Sequence, residues 1–288
     1  SSPTHMYIRT YPSVSKSPLY PSPKPDASQS ELAALRAQLR YGQYQLYALK
    51  PQVFEWSEFL NMLHPMQCVS KHHIEIMSLP GRKTEPMAKF EISSSLGHEH
   101  GMYLEDTAAT LINMLTDECK HSQLIPILIT VGKYKSAAQE FPEKAGHATM
   151  MLVDNLNRVI EYFDPNSLID ANIDKFCKVV AKQIGYSYII MEDQCKRSAL
   201  SVHDIVHDSA IKRDPSYKGD CYYWSLWYAD MRLTNKHTNP LQLYQWILQY
   251  LKGDPEKATN IITRFKNYYL RWSAERIFNY YKQEHVPI

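Results

Sequence analysis

The sequence predicts an α+β protein in which a central, mostly antiparallel sheet is packed by helices. Four short apolar runs of strand length occupy the middle of the chain, at residues 124–132, 148–155, 158–165 and 186–193. A stretch with apolar residues at helical spacing separates the third run from the fourth, and the chain after Cys221 has helical periodicity throughout. Strands grouped apart from a run of helices are typical of the α+β class.

The first part of the chain is predicted to lie outside this sheet. Residues 1–30 are rich in Pro and Ser, so burial there is not expected to offset the entropy lost on ordering, and we predict a flexible tail. From Ser30 a serine cap and leucines at helical spacing predict a helix. We therefore expect residues 31–106 to form a helical N-terminal extension that could dock a substrate.

The remaining elements are predicted to form a core at residues 107–235 and a C-terminal helical region at 236–288. Residues 107–118 predict a helix, and the second and third apolar runs predict a hairpin that turns near residues 155–157. The helix between the third and fourth runs has Ile173, Phe176 and Val180 on one face. Pro240 and Gly253 bracket one C-terminal helix, and residues 255–283 predict a second. Both helices are expected to pack on the core.

Composition narrows the possible environments and partners. Of 288 residues, 32 are basic and 30 acidic, for a net charge of +2, so no overall field favours nucleic acid. No apolar run reaches the roughly 20 residues that span a bilayer, and no signal-peptide pattern begins the chain. The five cysteines are odd in number and widely spaced, which favours reduced thiols. We expect an intracellular protein that contacts no membrane.

No cofactor or metal is expected from the sequence. The histidine pairs at residues 72–73 and 98–100 lack a third ligand, and no cysteine cluster has the spacing of a zinc site. The two histidines of the stretch at residues 203–208 are interpreted as part of an exposed loop or helical turn.

One cysteine has the surroundings of a nucleophile. Cys221 follows a Gly-Asp turn and begins an aromatic helical run, where the helix dipole favours a thiolate. His147 lies at the start of one predicted strand, and Asp164 ends the next, seventeen positions later. If the two strands pair as a hairpin, the carboxylate lies beside the imidazole, which can then take the proton of the thiol.

These residues carry a resemblance to a known family. The stretch GHATMMLVDNLNRVIEYFDPN, followed by GDC at the head of a helix, resembles the SUMO-protease and adenovirus-protease superfamily of cysteine peptidases. The resemblance covers residues 107–235. It implies a papain-like fold with Cys221 as nucleophile, His147 as general base and then acid, and Asp164 as the group that orients the histidine.

The resemblance also implies a substrate. It points to a deubiquitinase or deSUMOylase-like isopeptidase that cleaves after small residues of ubiquitin or a ubiquitin-like modifier, in the cytoplasm or nucleus of a host cell or in a virion. A narrow channel that rejects side chains would give that preference. Trp56, Gly146, Tyr222 and Trp224 are the candidates for its walls.

The sequence departs from the family pattern at three places. Ala148 stands where the family has Trp, Tyr222 stands where it has Gly, and residues 214–216 read Asp-Pro-Ser where it supplies a glutamine that stabilises the oxyanion. An ionised aspartate offers no N–H to a developing negative charge. Ser216 and the backbone N–H of Cys221 are therefore the candidate oxyanion donors.

Three other functions fit the same sequence. A viral polyprotein-processing protease shares the family and its preference for small residues. An acetyltransferase resembling YopJ keeps the catalytic order but passes an acyl group to a hydroxyl or amine. In the third alternative the fold is kept as a catalytically inactive binding module, with Cys221 as a small buried apolar residue and the Asp-Pro-Asn at 164–166 as a simple turn.

Overall fold

The fold combines one mixed sheet with helices on both faces. A computed structural model of the chain describes residues 6–11, 74–77, 79, 82, 85, 87–93, 108–109, 111–113, 115–116, 121–133, 144–167, 171–191 and 221–283. The strands are β1 Ile74–Met77, β2 Met87–Ser93, β3 Leu124–Lys133, β4 Lys144–Asp154, β5 Val159–Phe163 and β6 Ser187–Ile190. The helices are α1 Ala171–Ile184, α2 Cys221–Thr234, α3 Pro240–Lys252 and α4 Pro255–Gln283.

Within the described residues the strands form one sheet in the order β1-β2-β3-β4-β5-β6. The pairs β1–β2, β3–β4 and β4–β5 are antiparallel, whereas β2–β3 and β5–β6 are parallel. The predicted α+β class is confirmed, and the four apolar runs correspond to β3 through β6 with small shifts at their ends. The hairpin between β4 and β5 turns where the sequence predicted it.

The sheet extends further than the sequence predicted. Residues 31–106 were predicted to be helical, but β1 and β2 lie within them and pair with each other and with β3. The sequence of β2, MAKFEIS, alternates apolar and polar residues with the period of a strand.

Burial of β3 and β4 on both faces explains their continuous apolar sequences. Leu128, Met150 and Leu152 face the core shared with α2, α3 and α4. Ile127 and Met151 face a second core, shared with α1 and the helical residues at 108–116. The sheet is therefore the middle layer of the molecule, and its two faces are covered by different helices.

Helix α2 is the most buried helix of the described chain. Every residue from Tyr222 to Leu233 is buried, including the charged Asp230 and Arg232. Arg232 forms ion pairs with Glu161 on β5 (Nη2–Oε1, 2.6 Å) and with Asp154 at the end of β4 (Nη2–Oδ2, 3.2 Å). The position of α2 against the hairpin is thus fixed by buried charge pairs as well as by packing.

Asp230 joins α2 to the N-terminal part of the chain. Its carboxylate accepts from Tyr11 Oη and Arg82 Nε and forms an ion pair with Arg9 (3.2 Å). Tyr11 is buried, and its ring lies 5.1 Å from that of Phe265 on α4. Residues 6–11, inside the segment predicted to be a flexible tail, instead pack on α2 and α4. The rest of that segment lies outside the described residues.

Candidate functional site

The β4–β5 hairpin places His147 and Asp164 at the same edge of the sheet. Met150 pairs with Phe163 in the antiparallel ladder, so the residues just beyond this pair, His147 on β4 and Asp164 after β5, lie at one end. Asp154 stabilises the turn at the other end by accepting from the backbone N–H (2.9 Å) and the side-chain amide (2.7 Å) of Asn157. The local sequence therefore sets the register on which the site depends.

A one-residue irregularity in β4 lies immediately before His147. Val131 of β3 pairs with His147, but the next residue, Gly132, pairs with Ala145, so Gly146 is the extra residue of a bulge. Bulges of this kind redirect the neighbouring side chain and are common beside active sites. Gly146 was predicted to line a substrate channel, and its place in the described structure is this bulge.

Asp164 is fully buried and held in place by neighbouring donors. Its Oδ1 accepts from the backbone N–H of Asn166 (2.8 Å), and its Oδ2 lies 3.4 Å from Tyr162 Oη. The backbone N–H of Ser167 closes the turn onto the carbonyl of Asp164 (3.0 Å). The Asp-Pro-Asn sequence thus forms a turn, and the same turn fixes the carboxylate.

His147 donates from one side of its ring to this carboxylate. Nε2 lies 2.9 Å from Oδ1 and 2.8 Å from Oδ2 of Asp164. Since Nε2 is committed to the aspartate, Nδ1 is the nitrogen left for the thiol of Cys221, which lies close enough to the ring to raise the pKa of His147. The order of contacts is therefore carboxylate, imidazole, thiol, which is the arrangement that activates a nucleophile.

The pKa of His147 reflects these contacts. Burial lowers it, but the hydrogen bonds to Asp164 and Cys221, together with their charges, raise it above the ordinary value of 6.5, to about 10. The imidazole is therefore held in its protonated form at neutral pH. A protonated histidine between a carboxylate and a thiol stabilises the thiolate.

Cys221 is the first residue of α2 and is partly exposed. The positive end of the helix dipole lies at this residue and favours a negative charge there. One turn further along, the buried Ser225 Oγ donates to the carbonyl of Ala148 (3.1 Å), which is the residue after His147. The contact links the start of α2 to the strand that carries the histidine.

Cys177 shows the contrasting environment. It is buried in α1 against Met151, and burial raises the pKa of its thiol well above the ordinary range. A thiol of this kind is inert. Cys68, Cys119 and Cys195 lie outside the described residues.

Two residues that were predicted to line the substrate channel belong to the core instead. Trp224 is fully buried, and its ring packs edge-on against Trp227 at 5.3 Å. Tyr222 is 5% exposed and packs against Tyr223 and Tyr269. Both belong to a helix that is buried on all sides, so their rings are committed to packing. Trp56 and Ser216 lie outside the described residues.

The structure adds two residues to the site that the sequence interpretation missed. These are Asn166, beside both His147 and Asp164, and Ser225, which anchors the first turns of α2. Asn166 was visible in the sequence as the last residue of the Asp-Pro-Asn turn. Ser225 carried no local signal, because its partner is a backbone carbonyl 77 residues away in the chain.

Two other kinds of site are absent from the described residues. No group of three or more His, Cys, Asp or Glu side chains could hold a metal ion in this part of the chain. None of the helices placed by the structure has the length and apolar character needed to cross a membrane. The histidine stretches at 72–73, 98–100 and 203–208 lie outside the described ranges.

The raised pKa of His147 makes stability depend on pH. The folded pKa of about 10 lies above the unfolded pKa of 6.5. The protonated ring therefore contributes its full share of the unfolding free energy below pH 6.5, and this share is lost as the pH rises to about 10. We expect the difference in unfolding free energy between the wild type and His147→Gln to fall across this window. Urea titrations at several pH values measure it, and a constant difference would contradict the raised pKa.

Comparison with known proteins adds no assignment. No protein-family model matches the chain, and no curated protein matches it.

Proposed function

We propose that this protein is a cysteine peptidase with a papain-like fold, in which Cys221 is the nucleophile. One observation carries the proposal: His147 contacts a buried carboxylate through Nε2, and its pKa is raised by a neighbouring thiol at the N-terminus of a helix. Three residues from two strands and a helix are needed for this chain of contacts. The bulge that precedes His147 is a further feature that is common beside active sites.

The proposed reaction proceeds through an acyl-enzyme. The thiolate of Cys221 attacks the scissile carbonyl carbon and forms a C–S bond, and the carbonyl electrons move to oxygen. The intermediate collapses as the C–N bond breaks, and the His147 imidazolium gives its proton to the leaving amine. His147 then takes a proton from water, which attacks the thioester, and the acid product leaves as the thiol is restored. Asp164 holds the ring throughout.

The backbone of α2 supports a donor for the oxyanion. The first N–H groups of an α-helix have no acceptor within the helix. Cys221 is the first residue of α2, so its N–H does not belong to the helical ladder. When the Cys221 thiolate attacks a carbonyl, the carbonyl oxygen comes close to the Cys221 N–H. This N–H would take the place of the glutamine that the family uses to stabilise the oxyanion.

The proposed substrate is a protein with small residues before the scissile bond, such as the C-terminus of ubiquitin or a ubiquitin-like modifier. This assignment rests on the family resemblance of the order His147, Asp164, Cys221 and on the spacing of the first two. Tyr222 and Trp224 are committed to the core, so other residues would contact such a modifier.

The experiment that tests the function is covalent capture. Ubiquitin and SUMO that carry C-terminal electrophiles are incubated with the wild type, with Cys221→Ala and with Cys177→Ala, and mass shifts are recorded. We expect capture by the wild type and by Cys177→Ala, whose lost thiol is buried, and none by Cys221→Ala. Capture through another cysteine would overturn the assignment of the nucleophile.

The same experiment separates the alternatives. If neither modifier is captured, peptides with Gly-x-Gly sequences and an electrophilic end test polyprotein cleavage, and radiolabelled acetyl-CoA tests acyl transfer to Cys221. A folded protein with no capture by any of these probes would favour an inactive binding module.

A further inference from the structure

We propose that Asn166 is a positioning residue for the Cys221–His147 pair, with its side-chain carbonyl oxygen accepting a hydrogen bond from Nδ1–H of the protonated His147 ring. The proposal deepens the proposed peptidase function and rests on it. Asn166 is neither a member of the His-Asp-Cys order nor one of the residues predicted to bind substrate.

Asn166 contacts both groups that define the base. Its backbone N–H donates to Asp164 Oδ1 (2.8 Å), and its side-chain amide lies 3.5 Å from His147 Nδ1. Asp164 holds the ring only at Nε2, so the ring needs a contact at its other edge to keep its plane fixed. Asn166 supplies a contact on the nitrogen that serves Cys221.

A buried oxygen identifies which atom of the amide faces the ring. As placed, Nδ2 of Asn166 faces Nδ1, while Oδ1 is buried and has no hydrogen-bond partner within the described part of the chain. An unpaired buried oxygen is costly. The oxygen and nitrogen of a side-chain amide are assigned from their hydrogen bonds. A half-turn about the Cβ–Cγ bond exchanges the two atoms.

The exchange gives the orphaned oxygen a partner. With Oδ1 toward the ring, the orphaned oxygen accepts from Nδ1–H, and the contact requires a protonated imidazole. With Nδ2 toward the ring, the amide donates to the lone pair of Nδ1 and favours the neutral imidazole, which leaves a thiolate without its cation. The protonated state of His147 at neutral pH agrees with the first arrangement. Asn166 therefore favours the imidazolium that accompanies the thiolate.

Alkylation of Cys221 by iodoacetamide, quantified by mass spectrometry of the peptide that contains it, tests the proposal without any substrate. The wild type is expected to react at about pH 6, where an ordinary thiol is protonated. Asn166→Ala, which removes the acceptor, and Asn166→Ser, whose hydroxyl is one bond shorter than the amide, are expected to react about tenfold more slowly there, the size of one hydrogen bond to a charged group. At about pH 10 all variants should react alike, because the thiol ionises without help.

Asn166→Asp distinguishes the two orientations of the amide, since a carboxylate accepts but has no N–H to donate. We expect it to keep the reaction at about pH 6, whereas loss equal to that of Asn166→Ala would overturn the role of the oxygen. Asn166→Ser keeps a turn-forming residue in case the alanine variant does not fold. Asn157→Ala, at the far turn of the same hairpin, is the matched control; it keeps the backbone N–H bond to Asp154 and should be alkylated at the wild-type rate.

The outcomes separate this proposal from the peptidase assignment. Suppose that alkylation at about pH 6 depends on Asn166 but no modifier with an electrophile is captured. The positioning role is then retained, and ubiquitin-like modifiers are rejected as the substrate class. A wild type that reacts only as an ordinary thiol would overturn the positioning role. An equal loss of rate at both pH values would mark Asn166 as merely structural and also contradict the proposal.

Discussion

Replacement of Asp164 by Asn is expected to lower kcat/KM for the cleaved substrate by about 10⁴-fold while the protein remains folded. Asn has the size of Asp, so the turn at residues 164–167 and its bond from the Asn166 N–H can persist. The chemistry cannot persist, because both carboxylate oxygens lie within 2.9 Å of His147 Nε2, and one of them becomes an NH₂ group.

The loss follows from the tautomer of His147. The carboxylate holds a proton on Nε2, so Nδ1 is the nitrogen that exchanges a proton with Cys221. An amide N–H directed at Nε2 favours the tautomer in which Nδ1 carries the proton, and that nitrogen can no longer act as a base. The positive ring also loses the buried charge that stabilises it.

The matched control is Asp174→Asn, which removes the same charge from α1. Asp174 contacts Lys178 and Tyr188, and none of these residues belongs to the site. Its kcat/KM should stay within about twofold of the wild type. Steady-state kinetics and thermal unfolding of both variants make the comparison, and a full rate in Asp164→Asn would show that the carboxylate does not orient the base.

Replacement of Arg232 by Met is expected to destabilise the protein by about 3–5 kcal/mol, the largest stability effect in the described chain. Arg232 is fully buried and contacts Glu161 through Nε (2.8 Å) and Nη2 (2.6 Å). Met fills much of the same space, but Glu161 is left buried with one weak contact, from Tyr228 Oη at 3.4 Å. An unpaired buried carboxylate is the source of the cost.

The pKa of Glu161 gives this prediction a second readout. Burial already raises it, and Arg232 is the main opposing influence. Without Arg232 the carboxyl is expected to take up a proton. A neutral side chain tolerates burial, so the deficit of Arg232→Met should shrink as the pH falls toward the acidic range. Urea unfolding at neutral and mildly acidic pH measures the change.

Two further variants complete the test. The double variant Glu161→Leu/Arg232→Met removes both charges and should recover roughly half of the lost stability. Lys178→Met breaks an ion pair in which the lysine side chain is 58% exposed and should cost no more than about 0.5 kcal/mol. An Arg232→Met loss as small as that of Lys178→Met would contradict the importance of the buried network.

The network matters to the site because it positions the helix of the nucleophile. Arg232 and Ser225 hold α2 against β4 and β5 at two points, and Cys221 begins the same helix. His147 and Asp164 belong to the hairpin that receives these contacts. A displacement of α2 therefore moves the thiol relative to its base, and Arg232→Met should slow alkylation of Cys221 at neutral pH as well as reduce stability.

The local elements were determined by the sequence itself. Period-two and continuous apolar runs gave the strands β3 to β6, and helical spacing gave α1 through α4, because both patterns follow from the geometry of a single element. The pairing of His147 with Asp164 was also predictable, since a short hairpin turn fixes the register of two adjacent strands.

The tertiary structure decided what depends on residues distant in the chain. The place of β2 in the sheet comes from pairing with β3, more than thirty residues later, and β1 joins the sheet through β2. Tyr222 and Trp224 were expected at a surface because they follow the cysteine, yet packing of three helices buries them. The contacts of Tyr11 with Asp230 and of Ser225 with Ala148 likewise join distant segments. Sequence patterns record which face of an element is apolar, whereas only packing decides which partner covers it.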